Sequence, residues 1–459
     1  KLSKKIKKVI IIFYNKENLL FNYKLDKKNY QKLIERNSIN FIKIKTNKKN
    51  TFKVEDDQSV LKTFYIKNNN KKRLVIIVIL DGMSYDIAKT LKYTNKFFGK
   101  SYSNVWSNAE WTLPSFNNLI TGNFTSSHNC YKPETLDFEN NQIKNSLNIF
   151  NYFKNQDFVT GCYSGNDRFN PYYNNIEGVD IFRYCKNQRA PEVVDNMIAH
   201  IEMFKEKSNF IIGHLLDGHH LLGKVKPIEL ANFDSEENLY YKNFLPTEKK
   251  NKGFLKTAHR VWYEYYYNYK FNLFNYADFK LNTLYRYLNK NRFDDFSIIL
   301  LGDHGSRFTE NKNYQKLLNP EINKIGFFIK DKKFNGKIKK DKNISIIDIF
   351  PSMTSRFKDK KNKKFESFDG TNSLFSNFHK EIILSESLYK NKFSLLAKYK
   401  NYLYLQTFDL KEDKSISNRA TFFTDSNMME IKIKNKRITE ILKKLDEYCT
   451  KHLKNNFKI

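Results

Sequence analysis

The chain has 459 residues, of which 40% are hydrophobic and 16% aromatic, enough to bury a large core and to exclude wholesale disorder. Its 81 basic and 49 acidic residues give a formal net charge of +32. The lysines are spread through every segment as KK, KN and NK pairs with no aromatic-basic recognition motif, which argues against a specific nucleic-acid site.

Such a surface suits an anionic small-molecule, glycan or lipid-linked substrate, and also an acidic membrane face. Cys130, Cys162, Cys185 and Cys449 lie far apart without a CxxC pair. That excludes a zinc knuckle or a disulfide framework and fits free thiols in a reducing, cytoplasmic setting. The longest apolar run, Leu74–Leu80, is far too short to span a bilayer. The opening KLSKKIKKVIIIFY lacks both the h-region length and the cleavage site of a secretory signal.

In chain order, residues 1–70 hold a strand-like run (KKVIIIFY), a helical stretch (NYQKLIER), two more strand-like pieces and the polar linker KNNNKK. They predict a small α/β appendage with no chemistry of its own. From Arg73 onward short β-branched runs alternate with longer helical segments, the pattern of parallel βα units. RLVIIVIL, SNFIIGHLL, FSIILLG and KIGFFIK read as strands, and LPSFNNLIT, APEVVDNMIAHIEMFKEK and NYADFKLNTLYRYLNK as helices. A catalytic core is thus expected over 71–375. A C-terminal subdomain, 376–459, should close with the amphipathic helix ITEILKKLDEYCTKHL.

Open parallel sheets bind ligands at the carboxyl ends of their strands. Three predicted strands end in acids: Asp81-Gly82, Asp217-Gly218-His219-His220 and Asp303-His304-Gly305. One such Asp is commonplace as a helix N-cap. Three on one sheet, two beside histidines, point to a metal site of oxygen and imidazole ligands.

The stretch TLPSFNNLITG adds a fourth element. Pro114 fits the first turn of a helix and Gly122 its end, leaving Thr112 at the N-terminus among unsatisfied N–H groups. Thr112 alone reads as a plain cap. Beside three acidic strand ends it reads as a nucleophile, with an anion held on the same N–H groups.

Eight segments in order now resemble the sulfatase-like branch of the alkaline phosphatase superfamily. ILDG resembles its first metal-binding strand end, TLPSFNNLITG with SSH its nucleophile segment, and EGVDIF its GFDxF. HLLDGHH, LLGDHG, SIIDIFPSM and FDGTNSL resemble the DxH, SDHG, DxxPT and DGxSL segments, and EIILSES a following strand. The resemblance runs from about Arg73 to the C-terminus. It implies an alkaline-phosphatase-like sandwich: a mostly parallel central sheet with helices on both faces, a small C-terminal subdomain and the N-terminal appendage.

Within that family the departures select a branch. Thr112 cannot become the formylglycine of sulfatases, Phe116 stands where they carry a supporting Arg, and Gly82 replaces the second Asp of their Asp-Asp pair. Asp81, Thr112, Asp303 and His304 remain, a ligand set similar to that of the threonine enzymes: phosphoglycerol and phosphoethanolamine transferases and related phosphodiesterases. The resemblance implies one divalent metal (Mn, Zn, Mg or Ca) and a phosphothreonine intermediate. A second metal, as in nucleotide pyrophosphatases, would draw on Asp217, His220 and His379.

Further assignments follow. His219 serves as partner to the substrate oxyanion or leaving group. His128 buttresses the Thr112 helix or touches substrate, Arg168 and Arg307 are cationic substrate-binding candidates, and Asp278 caps or packs. His200, His214, His259 and His452 are expected to be structural. The function expected is cleavage of a phosphoester, by hydrolysis or transfer. The alternatives are a sulfuric ester hydrolase on a sulfated glycan and a catalytically inactive binding protein of the same fold.

Overall fold

The computed structural model describes residues 72–131, 142–143, 148–184, 189–218, 271–306, 318–334, 338–358, 368–388, 391–411, 413–431 and 436–458 in full. It describes only the backbone of residues 252–270 and of the strands before residue 68. The chain divides into two compact units, Lys1–Arg73 with Ala199–Asn209, and Leu74–Ile198 with Phe210–Ile459.

The first unit carries β1 (Ile6–Tyr14), β2 (Leu19–Leu25), β3 (Lys28–Ile34), β4 (Ile39–Lys45), β5 (Phe52–Val54) and β6 (Val60–Lys67). They form two three-stranded sheets, β4-β1-β6 and β3-β2-β5. The helix expected at NYQKLIER is strand β3 instead, antiparallel to β2. Asn29 to Leu33 pairs residue for residue with Leu20 to Lys24 of β2, and that pairing overrides the local helical pattern. This appendage is therefore a β structure rather than α/β.

The second unit is built on β7 (Arg73–Leu80), β9 (Phe158–Ser164), β10 (Ile181–Tyr184), β11 (Ser208–Leu215), β12 (Asp295–Gly302) and β13 (Phe327–Asp331). Their order is β10-β9-β11-β7-β12-β13, mostly parallel, with β13 antiparallel at one edge. Every residue of β7 except Arg73 is buried, as a strand covered on both faces requires. The short strands β8 (Val105–Trp106) and β14 (Ile344–Ser345) pair beside the main sheet.

In chain order the core helices are α1 (Tyr85–Ala88), α2 (Lys92–Phe98), α3 (Thr112–Thr121), α4 (Thr125–His128), α5 (Ile149–Asn155) and α6 (Ala190–Met203). One core joins Val75, Ile77 and Ile79 of β7 to Leu113, Phe116 and Ile120 of α3 and to Phe150 and Phe153 of α5. Each such side chain contributes about 1.5–3 kcal/mol on burial. On α2, Asp278 of the helix Lys252–Lys290 caps the first turn, accepting from Tyr93 N and Thr94 N at 2.8 Å each. Among the described residues no helix is long and apolar enough to cross a membrane.

The C-terminal part is an antiparallel sheet of β15 (Ile382–Tyr389), β16 (Lys392–Tyr399), β17 (Tyr402–Leu410) and β18 (Ile416–Asp425). The helix Lys436–Asn456 lays Leu445, Cys449 and Leu453 on it, as its amphipathic pattern predicted. Strand β15 also grips the segment leading into α3. Ser385 Oγ donates to Ser107 O (2.6 Å), Asn108 Nδ2 to Leu384 O (2.6 Å), Glu386 N to Asn108 O (2.9 Å) and Ser387 Oγ to Glu110 Oε1 (2.7 Å).

Candidate active site

The β7 chain leaves the sheet at Asp81, which is 1% exposed, and turns sharply at Gly82 with φ +74°. A Cβ at Gly82 would stand 2.7 Å from Ser306 Oγ. The left-handed turn favours glycine, and any side chain there would have to displace the Ser306 hydroxyl. Gly82 N donates to Asp303 Oδ1 (3.0 Å), tying the ends of β7 and β12 together.

Helix α3 begins at Thr112, behind Trp111 as its N-cap, and ends at Gly122 with φ +71°. The Thr112 hydroxyl does not cap the helix. It donates to Asp81 Oδ2 at 3.2 Å and lies 3.4 Å from His304 Nε2. His304 Nδ1 lies 2.6 Å from Gly305 O, a contact that keeps the proton on Nδ1 and aims Nε2 inward, 3.7 Å from Asp81 Oδ1 and 3.6 Å from Asp303 Oδ2. Asp81, Thr112, Asp303 and His304 therefore meet, as the strand-end argument required. Donors around one ion at ~2.0–2.6 Å must approach one another this closely.

Two donors in the group were not foreseen as site residues. His214, expected to be structural inside β11, is wholly buried with Nε2 3.4 Å from Asp81 Oδ2. Neither of its ring nitrogens has a hydrogen-bond partner, and Asp303 Oδ2 has none either. Asp81, His214 and Asp303 offer three ligand atoms all within 4.8 Å of one another, the one such group of three or more among the described residues. Orphaned buried polar atoms each cost about 1–3 kcal/mol. Two carboxylates and an imidazole so arranged fit a divalent cation. Asn166, two residues past the end of β9, is the second: its Nδ2 lies 3.4 Å from Asp81 Oδ2.

Burial raises the Asp303 carboxyl above its ordinary range; His304 opposes this and the Asp81 charge reinforces it. Burial also pushes Glu110, two residues before Thr112, up to about 7, against the opposing bond from Ser387.

The remaining candidates separate. His128 spends both ring nitrogens inside the chain, Nε2 on Asn118 Oδ1 (2.8 Å) and Nδ1 accepting from Cys130 N (3.1 Å), and so buttresses α3. Arg168 lies over the Trp111 ring, 5.7 Å from its centroid, beside the start of α3. Asp217 is buried with Oδ2 accepting from Ala190 N (2.8 Å) at the start of α6, and burial pushes it up to about 7 despite that bond. His379 is exposed, near Glu381. Neither Asp217 nor His379 joins a group of three metal-sized donors among the described residues. His219, His220 and Arg307 lie outside the described residues, as does Cys185. Cys130, Cys162 and Cys449 are buried free thiols.

The sulfatase family model matches residues 73–358, more than half of the chain. The chain belongs to the sulfatase family. This sulfatase-family protein therefore stands among the hydrolases and transferases of the alkaline phosphatase superfamily. No curated protein matches its sequence.

Its fold is similar to that of yidJ from Bacteroides fragilis, a protein assigned as a sulfatase (TM-score 0.63, 12% identity, 86% of this chain and 99% of that one). It is also similar to the phosphonate monoester hydrolase SpPMH from Silicibacter pomeroyi (TM-score 0.60, 11% identity, 84% and 96%). A third similar structure is BT4656 in complex with its substrate D-glucosamine-2-N,6-O-disulfate (TM-score 0.54, 10% identity, 83% and 97%). At such identities the likeness is one of fold.

Proposed function

We propose that this sulfatase-family protein cleaves a phosphoester through a covalent intermediate on Thr112. The observation that carries the reading is that the Thr112 hydroxyl, at the start of α3, points at Asp81 Oδ2 and His304 Nε2 instead of capping its helix.

A divalent cation held by Asp81, Asp303 and His304 would neutralise the ester oxygens and lower the proton affinity of the threonine hydroxyl. The chain's own residues do the rest. Asp81 Oδ2 orients the Thr112 hydroxyl and takes its proton as the threonine oxygen bonds to phosphorus and the bond from phosphorus to the leaving oxygen breaks. The leaving oxygen departs with that electron pair and takes up a proton from water. Backbone N–H groups of the first turn of α3 face the developing charge, a type of donor worth ~3–4 kcal/mol when preorganised. Water or an acceptor hydroxyl then attacks the phosphothreonine and returns the threonine oxygen.

Substrate is held by cations. Arg168, fixed over Trp111, supports an anionic group next to Thr112, and Arg307 follows the Asp303-His304 pair in sequence. His219 fits the leaving oxygen by its place two residues beyond Asp217. A glycan or lipid-linked ester suits these cations. The sulfated glucosamine bound by BT4656 supports an anionic sugar as the class to screen.

The test is a metal-saturated screen of matched aryl phosphodiesters, phosphomonoesters and sulfates, with trapping of labelled phosphothreonine. Turnover of sulfate alone would replace this reading with a sulfuric ester hydrolase.

A further inference from the structure

His214 is a polar side chain with nothing to do in the described fold. It sits on β11, one strand over from Asp81, wholly buried. A ring in that position would ordinarily hydrogen-bond to a carboxylate beside it. Its Nε2 is 3.4 Å from Asp81 Oδ2, yet the two make no hydrogen bond, and the Thr112 hydroxyl already donates to that oxygen. Nδ1 has no partner either, so nothing pins the proton to Nε2. Phe169 covers the ring from one side, with centroids 4.6 Å apart, leaving Asp81 and Asp303 as the charges it faces.

We infer that His214 is a protein ligand of the same divalent metal, bound through Nε2 in addition to His304, so that the site holds two imidazoles rather than one. This rests on the metal-dependent reading above and adds a residue outside the ligand set matched by sequence. The chemistry follows from the donors. Oxygen-only sites suit magnesium and calcium, whereas imidazole suits zinc and other transition metals. Two imidazoles beside Asp81 and Asp303 therefore bias the site towards zinc over magnesium, calcium or manganese. A ring already buried and aimed at the carboxylates also loses little freedom on binding.

The experiment uses the full chain loaded with zinc. X-ray absorption should count two imidazoles per zinc in the native protein and one in His214→Gln, with His304→Gln giving one as well. In competition titrations His214→Gln should lose about tenfold or more of its preference for zinc over magnesium. Circular dichroism of the metal-free proteins checks that the variants fold. If His214→Gln does not fold, the native imidazole count decides alone.

A single imidazole in the native protein overturns the inference while leaving the Thr112 reading intact. A zinc preference unchanged in a folded His214→Gln overturns it too. Failure of the full chain to bind any divalent metal overturns both.

Discussion

Phe116 and Phe169 pack ring against ring, with centroids 3.8 Å apart and planes inclined at 33°, one helical turn behind Thr112. The position where formylglycine sulfatases carry an arginine is thus part of an apolar wall, and Phe116 is 1% exposed. No cation there can support a hydrated aldehyde, and Thr112 has no second hydroxyl with which to expel sulfate. Phosphodiesters or phosphomonoesters should therefore exceed matched sulfate esters by tenfold or more in kcat/KM, about 1.4 kcal/mol in the barrier. A sulfate preference of that size would sink the branch assignment.

Thr112→Ala should lower kcat by about a thousandfold or more, because the nucleophile is removed while its neighbours remain. Its hydroxyl serves Asp81 and not the helix, so the thermal midpoint of the metal-free protein should change little. Near-native turnover would mean that water attacks the ester directly.

Gly82→Asp, which restores the pair of acids usual in sulfatases, should not strengthen metal binding. It forces a side chain into φ +74° against Ser306 Oγ, at a cost of about 1–3 kcal/mol read from the denaturant midpoint. Tighter metal binding with undiminished stability would contradict the close approach of β7 and β12.

Metal removal should expose the tension between Asp81 and Asp303. Chelation should lower the melting temperature, and restoring metal at about 100 times its dissociation constant should return ~2.7 kcal/mol. Asp303→Asn keeps an Oδ1 acceptor for Gly82 N and His304 N but removes one of two crowded charges. The metal-free variant should be more stable than metal-free native protein, and no longer stabilised by metal. Differential scanning calorimetry with and without chelator reads both effects.

Acid should loosen α3 through His128. Burial holds this imidazole down, to about 4 from an ordinary 6.5, so the folded state keeps it neutral while the unfolded chain takes up a proton. The stability it contributes is complete above pH 6.5 and is lost as pH falls from 6.5 towards 4, reaching about 3 kcal/mol. His128→Gln should flatten the slope of stability against pH over that window. An unchanged slope would show that other groups govern acid unfolding.

The catalytic sheet was legible because fully buried strands print continuous β-branched runs, and because Asp81, Asp217 and Asp303 punctuate their ends. Thr112, Asp81, Asp303 and His304 could be named for the same reason. His214 could not, since a histidine inside an apolar run looks the same whether its ring meets packing or a carboxylate. The sequence signal available was its place three residues before Asp217 on a strand whose end was already suspected. Asn166 was hidden because polar residues after a strand usually only shape the turn. NYQKLIER was misread as a helix because eight residues hold too little periodicity to separate the two elements, and pairing with β2 decided the outcome. Asp217 was a candidate ligand of a second metal by its position; one of its oxygens accepts from Ala190 N at the start of α6.

The four bonds from β15 to Ser107–Glu110 carry a consequence for how the protein is made. The residues that hold the approach to Thr112 in place lie at Leu384–Ser387, more than 270 positions later in the chain. On the ribosome the central sheet can be complete through β13 while the loop ahead of α3 still lacks its far support. Fragments ending before β15 should therefore lack the contacts that hold the approach to Thr112, and so the placement of its hydroxyl.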